Sequence, residues 1–228
     1  MTRVAWNKPG EKYFEAGVDR GVLYPRTGGG VPWNGLVSVS ENTSGGDMES
    51  LYFDGVKYLD IVSGEDFQAT VEAYGAPEAF NASDGIKVLS PGLYVTQQPR
   101  KTFGMCYRTL MGNDLQGTEY GYKLHLVWNC TAGPSPRSHK TMSGNVSAEA
   151  RSWTINTVPP RTNLFRPTAH IVIDNTKVDP YLMENLETVL YGRDATEELP
   201  AIEPSLPTVS EIVSIFSNTI TEFIEEFV

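Results

Sequence analysis

From Leu36 to Ile173 apolar and polar residues repeatedly alternate, and that period of two assigns the stretches to β-strands with one buried and one solvated face. Leu36-Val37-Ser38-Val39-Ser40 begins the series, and Glu41-Asn42-Thr43-Ser44-Gly45-Gly46 after it has the composition of a loop. Leu51-Tyr52-Phe53 and Val56-Lys57-Tyr58-Leu59-Asp60-Ile61 flank Asp54-Gly55, a pair that suits the positive φ angles of a type I′ turn, so a hairpin is predicted there. Asp66 to Tyr74, Phe103 to Met111, Tyr120 to Cys130, Ser152 to Ile155 and Ala169 to Ile173 read as further strands. The set amounts to about seven or eight short strands, at the spacing of a sandwich or barrel.

The period changes to that of a helix only late in the chain. Asp179-Pro180 supplies a cap and a first-turn proline, Leu182, Leu186, Val189 and Leu190 share a face, and Gly192 ends the run. Thr208-x-x-Glu211 has the form of a capping box opening a second helix, whose stripe holds Ile212, Phe216, Ile220, Phe223, Ile224 and Phe227. Residues 1–35, rich in Gly, Pro and aromatics, read as an extended arm. Four parts follow: an arm at 1–35, a β-sandwich at 36–192, an acidic Pro-containing linker at 193–207 and an amphipathic helix at 208–228. The expected fold is mainly β, an antiparallel sandwich or barrel with one flanking helix and an extra C-terminal helix.

Composition sharpens this picture in two respects. The 228 residues are 11% aromatic, which is ample for a packed core, and carry a formal net charge of −10. That excess sits at one end: 16 acidic and 16 basic residues precede Asp174, whereas 12 acidic and two basic ones lie from there on. Without blocks of Lys and Arg the chain is unsuited to gripping nucleic acid, an affinity that comes from neutralising phosphates. Cys106 and Cys130 show no C-x-x-C spacing, so neither a zinc ribbon nor a disulfide framework is indicated. No stretch approaches the roughly 20 apolar residues of a membrane span, and the start of the chain lacks the apolar run of a signal peptide, so no membrane anchor is expected.

Candidate chemistry is sparse. His125, His139 and His170 are far apart in sequence and lack the close spacing of metal ligands, which makes them ordinary strand or loop histidines and leaves the metal and cofactor sets empty. No serine lies in a G-x-S-x-G elbow, and Gly28-Gly29-Gly30 is not followed by the Lys-Ser/Thr of a phosphate loop. Trp6, Trp33, Trp128 and Trp153 could form a sugar-stacking platform, although aromatics at alternate strand positions more often fill a core. A tail-associated, sugar-binding or adhesion sandwich is therefore the second reading.

Several segments taken in order resemble the major tail tube protein of long-tailed, non-contractile phages, in particular those of actinobacteria. They are Gly17-Val18-Asp19-Arg20-Gly21-Val22-Leu23-Tyr24, Val31-Pro32-Trp33-Asn34-Gly35-Leu36-Val37-Ser38-Val39-Ser40-Glu41 and Tyr52-Phe53-Asp54-Gly55-Val56-Lys57-Tyr58-Leu59. Phe103-Gly104-Met105-Cys106-Tyr107-Arg108-Thr109, Gly112-Asn113-Asp114, Gly121-Tyr122-Lys123-Leu124-His125-Leu126, Pro167-Thr168-Ala169-His170-Ile171-Val172-Ile173-Asp174 and Leu190-Tyr191-Gly192 continue the series.

The resemblance runs over residues 17–192 and implies a subunit that closes into hexameric rings, stacks into a tail tube and lets DNA pass without specific binding. It implies no catalytic residue. It places the protein in the virion tail, and in the host cytoplasm during assembly, with the tape measure, tail terminator and distal tail proteins as partners. Contacts between subunits are expected from Val22, Tyr24 and Trp33 of the arm, from Glu41, Asn42 and Asp47 of the loop, and from Ile212, Phe216, Ile220, Phe223 and Phe227 of the last helix.

Overall fold

A computed structural model describes residues 3, 4, 6–139, 141, 148–162, 165–196 and 199–216. The strands are β1 (Tyr13–Pro25), β2 (Val31–Pro32), β3 (Leu36–Gly45), β4 (Met48–Phe53), β5 (Val56–Val62), β6 (Glu65–Ala73), β7 (Lys87–Ser90), β8 (Leu93–Val95), β9 (Phe103–Asn113), β10 (Gly117–Ala132), β11 (Arg151–Thr157) and β12 (His170–Asp174). Two helices follow, α1 (Pro180–Tyr191) and α2 (Val209–Ile215). The fold is mainly β, and the strand pairings among the described residues are antiparallel. Eight strands join one sheet in the order β2-β1-β9-β10-β11-β6-β3, with β12 branching from β10.

The central part of the wall formed by β1, β9 and β10 is buried on both faces. Gly21 to Tyr24, Phe103 to Tyr107 and Leu124 to Trp128 are each unbroken buried runs, so their apolar pattern is continuous where a half-solvated strand would alternate. Leu23, Phe103, Met105, Tyr107, Val127 and Cys130 point inward, toward Ala69 and Val71 of β6 and Trp153 and Ile155 of β11. Val22, Tyr24, Cys106, Leu124, Leu126 and Trp128 point outward, against Met183, Leu186 and Leu190 of α1 and Val209 and Ile212 of α2. Asn129 takes a positive φ of 50° where β10 slips register and exchanges its pairing with β12 for pairing with β11. That kink folds one sheet into two packed layers.

The inner core is aromatic. Phe80 meets Trp33, Phe103 and Trp153 at ring-centroid distances of 4.8, 5.4 and 5.5 Å. Tilted and edge-on arrangements of this kind add about 0.5–1.5 kcal/mol per pair beyond the area buried. The segment that brings Phe80 there is held by the buried carboxylate of Asp84, which accepts from Arg100 Nη1 at 3.3 Å and Arg137 Nη2 at 2.5 Å.

Both helices start as their sequences predict. The Asp179 side chain accepts from the Tyr181 amide, Pro180 opens α1 and Gly192 closes it at φ 80°. Thr208 and Glu211 form the reciprocal capping box of α2. The Asp54-Gly55 turn also has positive φ at both residues, 49° and 78°, as a type I′ turn requires.

The structure differs from the sequence reading in four places. Residues 13–25 belong to the sheet as β1, because pairing with β9 gives their backbone groups partners that a free arm would leave to water. Glu41 to Gly45 continues β3 alongside β6 and is no loop. Residues 193–196 and 199–207 are strapped down: Arg193 and Ile202 form a bridge, the Gly30 amide donates to the Pro204 carbonyl, and Trp128 Nε1 donates to the Pro207 carbonyl at 2.9 Å. The β7–β8 hairpin, turning at Pro91-Gly92 with Gly92 at φ 82°, was not anticipated. No helix among the described residues is long and apolar enough to cross a membrane.

Because Ile212 is buried among Leu190, Trp128 and their neighbours, Ile212→Ala should destabilise the isolated subunit by roughly 2–5 kcal/mol. Thermal unfolding of monomeric protein checks this. An unchanged melting temperature would mean that α2 does not belong to the subunit's own core.

Candidate functional site

Two features stand apart from the packed core. The first is the hairpin β4–β5, in which every residue of β5 and every residue of β4 except Ser50 is exposed. Tyr52, Phe53, Val56 and Tyr58 around its tip are each at least two-thirds exposed. Its root is a neck of glycines: Gly45 has φ 86°, and a Cβ there would lie 2.3 Å from the Gly64 carbonyl oxygen. The Gly46 amide donates to that carbonyl, and the Ser63 amide to the Asp47 carbonyl. An isolated two-stranded sheet with this much apolar surface is marginally stable in water and sticky, so it is a surface built to be covered.

The second feature is a polar cluster inside the sandwich. Register pairing sets His125 of β10 opposite Tyr107 of β9, and the two rings stack at 4.6 Å. The β12 partner strand stacks His170 on the other side of His125, at 5.3 Å. From the facing layer β3 projects Glu41, whose Oε1 accepts from the Tyr107 hydroxyl at 2.7 Å and lies 3.0 Å from His125 Nδ1. His125 Nδ1 is 3.1 Å from His170 Nε2, and His125 Nε2 is 3.0 Å from Thr109 Oγ1. Thr109 in turn donates to Glu15, which also takes Lys123 as an ion-pair partner.

The bond to His125, reinforced by the Tyr107 hydroxyl and the nearby His170, holds the Glu41 carboxyl down at about 2 against the opposing effect of burial. Burial pushes His170 down to about 4, with the neighbouring His125 adding to it and Glu41 opposing. Burial and the adjacent Glu41 carboxylate raise the Tyr107 phenol. A carboxylate and a neutral imidazole thus face one another, joined by a second imidazole. This is a donor set able to hold a proton or a metal ion.

The residues expected to contact other subunits have diverse placements. Glu41 joins the polar cluster, and Asn42 and Asp47 are exposed at the far end of β3 and beyond it. Val22, Tyr24 and Trp33 are buried in the subunit's own cores: the Tyr24 hydroxyl donates to the Leu190 carbonyl and Trp33 Nε1 to the Gly75 carbonyl. Ile212 is buried and Phe216 half-buried in the same subunit, since the strap at 202–207 seats α2 on the outer face. Val22, Tyr24, Trp33 and Ile212 therefore pack within the subunit, a correction to their reading as contact residues, whereas Phe216 keeps part of its surface open. Ile220, Phe223 and Phe227 lie outside the described residues. Three of the four tryptophans, Trp33, Trp128 and Trp153, are core residues, so they form no sugar-stacking platform.

Sequence reasoning found the β4–β5 hairpin but not its exposure, and it missed the polar cluster. The histidine pairing was invisible because His125 and His170 are 45 residues apart and meet only through the β10–β12 ladder. A polar residue on the inward face of an otherwise apolar strand was the available signal.

No family model matches the chain, and no curated protein matches it. Among solved structures, it is similar to a chain of the sheath–tube complex of an extracellular contractile injection system in the extended state, with 15% identity over 75% of this chain and 94% of that one, at a TM-score of 0.33. A chain of the sheath/tube terminator of that system is 17% identical over 75% of this chain and 99% of that one, with a TM-score of 0.28. A chain of the tube-terminating cap of an anti-feeding prophage is 14% identical over 76% and 95%, with a TM-score of 0.31.

The detached hairpin gives a prediction about its turn. Gly55→Val meets open space, so its whole cost is backbone strain at positive φ, about 1–3 kcal/mol. That strain should fray β4–β5 locally and leave the melting temperature of the body unchanged. Limited proteolysis should show faster cutting between residues 46 and 64, and a lowered global melting temperature would instead tie the hairpin to the core.

Proposed function

We propose that the chain is a self-assembling structural protein, the subunit of a phage tail tube. Copies close into hexameric rings, the rings stack, and the resulting channel conducts DNA into the host. The observation that carries this reading is the exposed apolar hairpin β4–β5, projecting on a glycine neck from the β3–β6 pair. Monomeric proteins rarely leave so continuous an apolar surface open to water, and a second copy of the chain would cover it. The free edge of β3 and the short edge strand β2 are further sites where sheets of neighbouring copies can join, and ring closure would remove both edges. The ordered series of segments over residues 17–192 that resembles tail tube proteins supports the same conclusion.

In this reading the virion tail is the site of action, the host cytoplasm the site of assembly, and the tape measure, terminator and distal tail proteins the partners. The protein acts by assembly and performs no catalysis. Several Lys and Arg side chains are engaged with carboxylates in this subunit: Arg108 grips Asp19 through two bonds of 2.7 and 2.6 Å, and Lys123 holds Glu15. A cation already paired in this way attracts a passing phosphate backbone less than a free one.

Electron microscopy of purified protein at high concentration tests assembly, with rings or tubes expected. The double variant Phe53→Ser/Val56→Ser, a facing pair at the hairpin tip, should abolish tubes while leaving monomer melting unchanged. Tubes formed by that variant as readily as by the parent would remove the hairpin from the interface.

Tubes should also bind duplex DNA only weakly at physiological salt, as measured by filter retention. Tight binding that falls steeply with added salt would count against a conduit.

A further inference from the structure

The geometry points to a divalent-cation site between the two layers of the sandwich, formed by Glu41, His125 and His170, with zinc as the best-fitting ion. The hydrogen bonds around these three side chains restrict where their hydrogens lie. Thr109 has one hydroxyl hydrogen, and it goes to Glu15 Oε1 at 2.5 Å. The Thr109 oxygen therefore meets His125 Nε2, 3.0 Å away, as an acceptor, and Nε2 is the nitrogen that carries hydrogen. In the form that can ligate a metal, His125 therefore carries its hydrogen on Nε2 and offers the Nδ1 lone pair. Nδ1 lies 3.0 Å from Glu41 Oε1, an acceptor, and 3.1 Å from His170 Nε2, which donates or accepts according to its tautomer; with the His170 hydrogen on Nδ1, three lone pairs converge on the gap among them. Tyr107 already donates its one hydroxyl hydrogen to Glu41, so it cannot fill the gap.

Converging electron pairs are what a metal ion requires. With bonds of about 2.0–2.1 Å, ligand atoms of a tetrahedral zinc lie roughly 3.3 Å apart. The two spacings to His125 Nδ1 approach that value, and one ligand atom from each of the three residues lies within 4.8 Å of the others. Two imidazoles and one carboxylate suit zinc and its neighbours in the first transition row better than calcium or magnesium, which take oxygen ligands. The surroundings also have the form of an outer shell. Thr109 fixes the tautomer of His125, Tyr107 orients Glu41, and stacking on Tyr107 and His170 sets the ring plane of His125. The side chain of Glu41 is 39% exposed, which leaves a path for the ion and a fourth position for water.

The site would join β3 to β10 and β12, fastening the layer that carries the β4–β5 hairpin to the wall opposite. It is independent of the tail-tube reading, since a subunit of any function could be clamped in this way.

The test uses full-length protein without a tag, stripped with chelator and dialysed. Zinc is titrated in competition with a chromophoric chelator, and cobalt is added separately to read coordination from its visible absorption. One equivalent of zinc per chain is expected, with a cobalt spectrum of four-coordinate form and a rise in melting temperature on adding zinc. Glu41→Gln and His170→Gln should each remove the stoichiometric binding, and Thr109→Val should weaken it about ten- to a hundredfold by freeing the His125 ring. Circular dichroism of each variant establishes that it folds; Glu41→Gln, at the solvent side, serves if His170→Gln does not. Absence of binding by the parent at one equivalent, or unchanged binding in folded Glu41→Gln, would overturn the site. A six-coordinate cobalt spectrum in every protein would do the same, and a proton on His125 Nδ1 would then be what fills the gap.

Discussion

The two-sided burial of the β1–β9–β10 wall is the constraint on which the other elements depend. A strand that is apolar on both faces must be covered twice, once by the opposite layer and once by something outside it. The inner cover comes from β6 and β11 with their aromatic anchors, the outer from α1, the strap at 202–207 and α2. Residues 21–24 of the predicted arm and 202–207 of the predicted linker consequently belong to the core and its cover. Gly104 shows how closely the outer cover is fitted, since a Cβ there would lie 2.4 Å from the Leu206 side chain.

Inside the sandwich the polar cluster breaks the apolar rule, and it is tolerated because nearly every member has a partner. Tyr107, His125 and His170 are mostly withdrawn from water, which would be costly were their polar atoms unpaired. Their partners come from four strands, β1, β3, β9 and β10, in addition to β12, so the cluster reports whether both layers are in register. By contrast the indole nitrogen of Trp153 is buried without a partner, which sets a small cost against the packing of the largest inner side chain.

What the sequence revealed and what it concealed follow from the range of the interactions involved. Asp54-Gly55, Asp179-Pro180, Gly192 and Thr208-x-x-Glu211 act through neighbouring residues, and each produced the turn or cap that its chemistry requires. The strands of the body were legible from period and composition for the same reason. The place of residues 13–25 was not, because their glycines suggested a loop, while the pairing that holds them lies in a strand some 90 positions away. Glu41 was likewise read from its polar neighbours, although its environment is fixed by residues 66 and 84 positions further on. The detached hairpin was predicted as a hairpin, but its exposure depends on what fails to pack against it, which no local pattern encodes.

The position of the outer cover at the end of the chain has a consequence for biosynthesis. Translation delivers β1 first, β9 and β10 midway and α2 last, so Val22, Tyr24, Cys106, Leu124, Leu126 and Trp128 stay uncovered on one side until residues 180–212 have left the ribosome. At roughly 5–20 residues per second that delay lasts several seconds, during which an apolar wall with open edges lacks its outer cover. The outer face of the wall can therefore close only after α2 has emerged, so the strands are made well before the cover they need.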